Sequence, residues 1–176
     1  AAEKLLELIA EAVHGLAPGD TQRVTKQFWE LNRVTDTWRF MASRPEGSPL
    51  IITGKTNVIW DPEDIAAKGD ISGFRFDGRR AWGRVGVLVG KVGELPTTRY
   101  LGEVFDDNVH VLLPHDPRHL VAVWAFCCSG LFGSAVRKLN QKLAVTTSII
   151  AKVPFDLDHW QKVAAEKYPN GLPKPF

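Results

Sequence analysis

His115 and His119 stand four residues apart, a spacing that can place two imidazoles on one face of a helix. Asp116 lies between them, but no third strong ligand follows at a characteristic interval. A catalytic zinc centre needs three protein ligands, so capping and surface roles fit the pair better. Asp106-Asp107 could hold a divalent cation. Followed by Asn108 and an apolar run, the pair reads more simply as turn chemistry. Cys127 and Cys128 are adjacent, lie in an apolar stretch and have no other cysteine to meet. They read as small hydrophobes in a reducing, cytoplasmic setting, and no metal is expected on any of these groups.

Basic residues offer a different chemistry. If Arg80–Gly90 is a strand, alternation puts Ala81, Gly83, Val85, Val87 and Val89 on one face and Arg80, Trp82, Arg84 and Gly86 on the other. Guanidinium groups pair with phosphates or guanine edges, and an indole stacks or wedges. Arg75, Arg79, Lys91 and Arg99 are close in sequence, against only Asp77 and Glu94. A solvated strand face with its Trp under a loop has the same pattern. A second basic stretch, Arg137, Lys138, Asn140, Gln141 and Lys142, precedes Thr146, Thr147 and Ser148. It suits phosphate and base-edge contacts, and equally a helix C-terminus that attracts cations through its dipole.

Motifs of catalysis are missing from the sequence. There is no Asp/Glu-x-Lys tripeptide, no Gly-rich phosphate loop before Lys and Ser/Thr, and no Gly-x-Ser-x-Gly elbow. The Asn/Asp-Pro-Pro-aromatic tetrapeptide of amino-methyltransferases does not occur either. The net charge of +2 permits a nucleic-acid partner without demanding one. With 44% hydrophobic residues, the 176-residue chain can bury one domain's core, and no run of ~20 apolar residues spans a membrane.

The elements that must position these groups follow from periodicity. Glu3 to His14 carries Leu5, Leu8, Ile9, Ala12, Val13 and Leu16 at helical spacing, with Gly15 as its stop and Pro18-Gly19-Asp20 as a turn. Short β-prone runs follow at 50–53, 57–60, 71–76, 80–90, 100–105 and 109–113. Asp116-Pro117 opens a helix running to about Gly130, and a second helix spans roughly 131–141. Residues 147–153 read as a strand, and Asp156 or Asp158 caps a last helix ahead of Pro169. The fold class expected is α+β, a central, mostly antiparallel twisted sheet with an N-terminal helix and C-terminal helices. Residues 1–168 would form the domain and 169–176 a linker. Without an initiator Met and starting inside a helical pattern, the chain reads as a segment of a longer protein.

Three segments together carry a resemblance. Gly15-Leu16-Ala17-Pro18-Gly19-Asp20 with Phe28-Trp29-Glu30 looks like a Gly-x-x-Thr-Gly-Asp/Asn motif, although Pro18 replaces the usual Thr and Val24 an expected Phe. Ala81-Trp82-Gly83-Arg84-Val85 is similar to a Trp-Ser-Arg strand, and Val111 to Asp156, with Lys152-Val153-Pro154-Phe155, to closing helices and an Ile-Pro strand. In this order they resemble the C-terminal target-recognition region of bacterial adenine-specific DNA methyltransferases of type II restriction-modification systems. The resemblance implies double-stranded DNA as partner and a catalytic methyltransferase domain in the same polypeptide. S-adenosyl-L-methionine would bind in that domain, with no cofactor and no catalysis here. It makes Arg80, Trp82 and Arg84 the expected base readers. Arg79, Lys91 and Lys142 become phosphate contacts, with Arg23 and Lys26 beside them. Two other functions remain compatible with the residues. One is a specificity module of a multi-subunit restriction complex. The other is a protein-interaction domain using Trp29, Trp38, Trp60 and Trp124.

Overall fold

The computed structural model describes residues 4–46 and 53–174, and the fold is α+β. Two four-stranded sheets replace the single central sheet expected. The first has the order β1-β8-β5-β6, built from β1 (Ala10–His14), β8 (Val109–Pro114), β5 (Gly86–Gly90) and β6 (Thr97–Tyr100). All its pairings are antiparallel. The second has the order β2-β4-β3-β7, from β2 (Thr25–Gln27), β4 (Asn57–Trp60), β3 (Trp38–Ala42) and β7 (Val104–Phe105), and only its β3–β7 pair is parallel.

The expected N-terminal helix is instead a 3-10 turn at Leu6–Leu8 followed by β1. The first sheet is covered on both faces, so β1 needs apolar residues on both sides and cannot show a clean period of two. Ala10 packs with the helical core, whereas Val13 joins a second core on the opposite face. Register with β8, from Ala10↔Pro114 to His14↔His110, overrides the helical spacing.

Helices α3 (Leu120–Cys128), α4 (Leu131–Leu139), α5 (Thr147–Ala151) and α6 (Leu157–Lys167) form a layer on one face of the first sheet. Phe126 is its hub, with the rings of Phe132, Phe155 and Trp160 at 5.6, 5.3 and 5.1 Å. As expected, Asp116 caps the Pro117 turn that leads into α3, accepting the Arg118 N–H at 2.9 Å. Asp156 caps α6 by accepting the His159 N–H at 3.2 Å. The expected strand at 147–153 is α5, because Ile150 and Val153 both turn into the helical core. Cys127 lies in that core with 6% exposure, and Cys128 packs against it.

The other face of the first sheet offers Leu88, Val109, Val111 and Leu113 to Ala42 and Phe105 of the second sheet. Beyond these, Met41 and Ile59 pack on Ile65 of α2 (Pro62–Lys68), an element the sequence pattern did not reveal. Short α1 (Thr21–Val24), β2 and β3 were likewise not foreseen. Of the run 71–76, only Arg75 makes a bridge, to Ala17. The run 100–105 breaks at Gly102, and 50–53 lies outside the described residues apart from Thr53. Arg99 donates to the carbonyl of Pro173 at 2.5 Å, so the Pro-rich tail meets edge strand β6. Among the described residues no single helix is long and apolar enough to cross a membrane.

Candidate nucleic-acid interface

Residues Arg79–Ala81 form a 3-10 turn, and the strand starts only at Gly86. The alternating Arg-Trp-Arg row expected at 80–84 therefore does not exist. Gly78 forces the turn: its φ is +82°, and a Cβ there would lie 2.9 Å from the His14 carbonyl oxygen. Ala81 is buried in the core shared by the two sheets and anchors the turn. Trp82 is drawn inward instead of facing out with the arginines. Its ring sits 5.6 Å from Phe76, with the Arg39 guanidinium 5.4 Å from the ring centre.

The two expected reader arginines meet elsewhere. Arg80 Nε donates to Glu11 Oε2 at 3.3 Å, and Arg84 Nη1 donates to Glu11 Oε1 at 2.9 Å. Arg79 pairs with Glu63 at 2.6 Å and Arg23 with Asp70 at 2.5 Å. All four keep exposed guanidinium surface, so these are screened surface pairs worth about 0–1 kcal/mol each.

Lys91 and Lys142, 51 positions apart in sequence, are brought together by a bridge between Val92 and Ala144 and by the Val145 N–H on the Lys91 carbonyl at 2.9 Å. Arg137, at the end of α4, holds this arrangement. Its Nη1 donates to the Lys142 carbonyl at 2.5 Å and its Nη2 to the Gly93 carbonyl at 2.6 Å. Arg44, from the β3–β4 connection, reaches the same turn, with Nη2 3.5 Å from where a Gly93 Cβ would stand. Three connections and the end of α4 thus bring the chain segments that carry Arg44, Lys91, Arg137 and Lys142 together around Gly93, with the Lys91 charge also acting on His14 and His110. Among the described residues no carboxylate pairs with any of the four. Glu94 is on the same turn and exposed. Asn140 turns its side chain back on the Lys142 N–H at 2.7 Å, while Gln141 is exposed. The sequence had singled out Lys91 and Lys142, but Arg44 carried no local signal.

Lys26 is exposed on β2, in register with Val58, which is itself paired with Phe40. Phe40 belongs to an exposed aromatic group with Phe28 and Trp29: Phe28 lies 5.1 Å from Trp29 and 6.4 Å from Phe40. Trp29 is 62% exposed, whereas Trp124 is buried and donates to the Tyr168 hydroxyl.

His115, Asp106 and Asp107 of the titratable groups singled out by sequence have structural partners. His115 Nε2 meets the Glu7 carbonyl at 3.0 Å, and no group of three or more metal-binding side chains assembles among the described residues. Asp106 is buried, where it accepts from Ser43 Oγ at 2.6 Å and from the Asn108 N–H at 3.0 Å. Burial raises its carboxyl above the usual value. His110 is buried beside His14, with Nε2 2.7 Å from the Val145 carbonyl. Burial lowers its imidazole to about 4. A groove of about 870 Å³ between α4 and α6 is floored by Phe126, Phe155 and Trp160, and its one carboxylate, Asp156, caps α6.

Neither a protein-family model nor a curated protein matches the chain. Among solved structures, the type IIL restriction-modification enzyme MmeI in complex with DNA superposes over 98% of this chain with a TM-score of 0.59 at 9% identity. This chain spans 30% of that enzyme's length. The HsdS subunit from Thermoanaerobacter tengcongensis superposes over 94% of the chain, with a TM-score of 0.49 at 11% identity, and the chain spans 36% of it. The chain therefore shares the fold of a region, about a third of the length, of a restriction-modification enzyme.

Proposed function

We propose that the chain is a DNA target-recognition region, which grips a duplex and tests base edges on behalf of a catalytic domain. The observation that carries this is the convergence around the Gly93 turn of the segments that bear Arg44, Lys91, Arg137 and Lys142, held by the Arg137 guanidinium. Basic segments brought together without ion-paired carboxylates supply the charge for phosphate binding, which dominates protein–DNA affinity and sets register on the duplex. Exposed Gln141 beside it supplies an amide that can bond an adenine edge in the major groove. The likeness to a restriction-modification enzyme solved with DNA supports the same reading.

The finer part of the proposal concerns the whole protein. The catalytic partner would be an adenine-specific methyltransferase domain of the same polypeptide, holding S-adenosyl-L-methionine outside this chain and acting in the cytoplasm. An adenine amino group is out of reach inside the stack, so the target base must be extruded while this region holds the distorted duplex. Arg79, Arg80, Arg84, Arg23 and Lys26 then serve as flanking phosphate contacts, and half-buried Trp82 packs on Phe76, over which Arg79 lies. Selection from a pool of randomised duplexes tests the function. Enrichment of a defined short site is expected, and a pool that stays random through repeated rounds would refute sequence recognition.

A further inference from the structure

The search for a further role leads to Glu11, a side chain that no motif singles out. It stands on β1, the edge strand of the first sheet, in register with Leu113. That face also carries Val13 and receives Ala81, so the turn beginning at Gly78 is delivered directly over Glu11. Each carboxylate oxygen takes one guanidinium, Oε2 from Arg80 and Oε1 from Arg84. The side chain of Glu11 is 32% exposed, those of Arg80 and Arg84 63% and 45%. Two arginines converging on a pair of oxygens are built to hold an anion, and a phosphodiester offers the same two-oxygen face.

We propose that Arg80 and Arg84 form a DNA-phosphate site that Glu11 occupies in the free protein. Glu11 is an internal surrogate for the phosphate, and the duplex must displace it. This rests on the DNA-binding function proposed above. Exposure makes the exchange feasible, because screened pairs of this kind are weak enough to trade for a charge-assisted bond to phosphate. Two arginines shared by one carboxylate also leave the site a single net positive charge. Glu11 thereby restrains binding to arbitrary duplexes while keeping both guanidiniums aligned.

The test is fluorescence anisotropy with a 30-base-pair duplex of random sequence at fixed salt, on four proteins. These are the unaltered chain, Glu11→Gln, Arg80→Ala/Arg84→Ala, and the triple variant. Glu11→Gln is expected to bind about three- to tenfold more tightly, the size of two released surface pairs. In the double-alanine background the same change should gain less than about twofold. An equal gain in both backgrounds would mean a general charge effect and would overturn the proposal, as would no gain in either. Absence of binding by all four proteins would sink the DNA-binding function together with this inference. Binding by the unaltered chain that Glu11→Gln leaves unchanged would sink this inference alone. A second measurement needs no variant: the Arg80 Nε–Hε resonance, bonded to Glu11 in the free protein, should shift when duplex is added. A resonance unmoved at saturating DNA would also overturn the exchange.

Discussion

Replacing Arg137 by Ala removes the clamp that fixes the cationic end. Its guanidinium bonds the Lys142 carbonyl at 2.5 Å and the Gly93 carbonyl at 2.6 Å, tying the α4–α5 connection to the β5–β6 turn. Each charge-assisted bond contributes about 0.5–1.5 kcal/mol net at a half-buried position, so Arg137→Ala should destabilise by about 1–3 kcal/mol. For a domain of this size that lowers the melting temperature by about 3–8 °C. Exchange of the amides at 140–145 and 91–93 should accelerate together, since both segments lose the same anchor. Arg137→Lys should recover only part of the loss, because one ammonium cannot reproduce the fork between two carbonyls. The duplex affinity of Arg137→Ala should fall further than that of Lys142→Ala, which removes a charge but leaves both connections in place. Calorimetry and hydrogen exchange decide. An unchanged melting temperature with unchanged exchange at both segments would refute the clamp.

His110 gives the chain an acid limb. Its folded value of about 4 lies below the ordinary 6.5, so between these values the unfolded chain binds more protons and stability falls as pH falls. The loss should reach about 3 kcal/mol by pH 4, and His110→Gln should flatten it in urea melts. Asp106, raised by burial, works in the opposite sense just above pH 3.8, but it is unaltered in the comparison and cancels. Gly15→Ala should cost about 1–3 kcal/mol, because the new Cβ would fall 2.1 Å from the Asp106 carbonyl oxygen; a denaturation midpoint equal to that of the unaltered chain would contradict this packing. Burial pushes the Cys128 thiol up to about 12 and raises the Cys127 thiol well above its ordinary value. Neither should react with Ellman's reagent in the folded protein at pH 8, and both should react in denaturant.

Much of the fold was legible where local chemistry acts alone. Asp116-Pro117 and Asp156 announced their helices because capping depends on a few adjacent residues. The strand at Val109 was equally plain, a run of β-prone residues after an Asp-Asp-Asn turn. The N-terminal segment misled because β1 feeds two cores, and only pairing with β8 decides its conformation. The arginine row failed at Gly78, whose positive φ and tight approach to His14 impose a turn that side-chain alternation cannot register. Lys91 and Lys142 were visible as cations, but their meeting depends on a long-range bridge, and Arg44 joins them only through the tertiary path of the β3–β4 connection. Glu11 lies within the expected N-terminal helix, and only the pairing of β1 with β8 brings it under the turn that carries Arg80 and Arg84.

The most direct test of duplex binding at the Gly93 turn is the salt dependence of DNA affinity, measured on the unaltered chain and on Lys91→Ala/Lys142→Ala. Each neutralised phosphate contributes about −0.9 to the slope of log K against log salt. The unaltered chain should bind duplex with a slope of about −3 to −5, and the double variant should lose about two contacts, flattening the slope by roughly 1.8. A duplex affinity independent of salt, or a slope left unchanged by loss of both lysines, would contradict the assignment of this end of the fold to DNA.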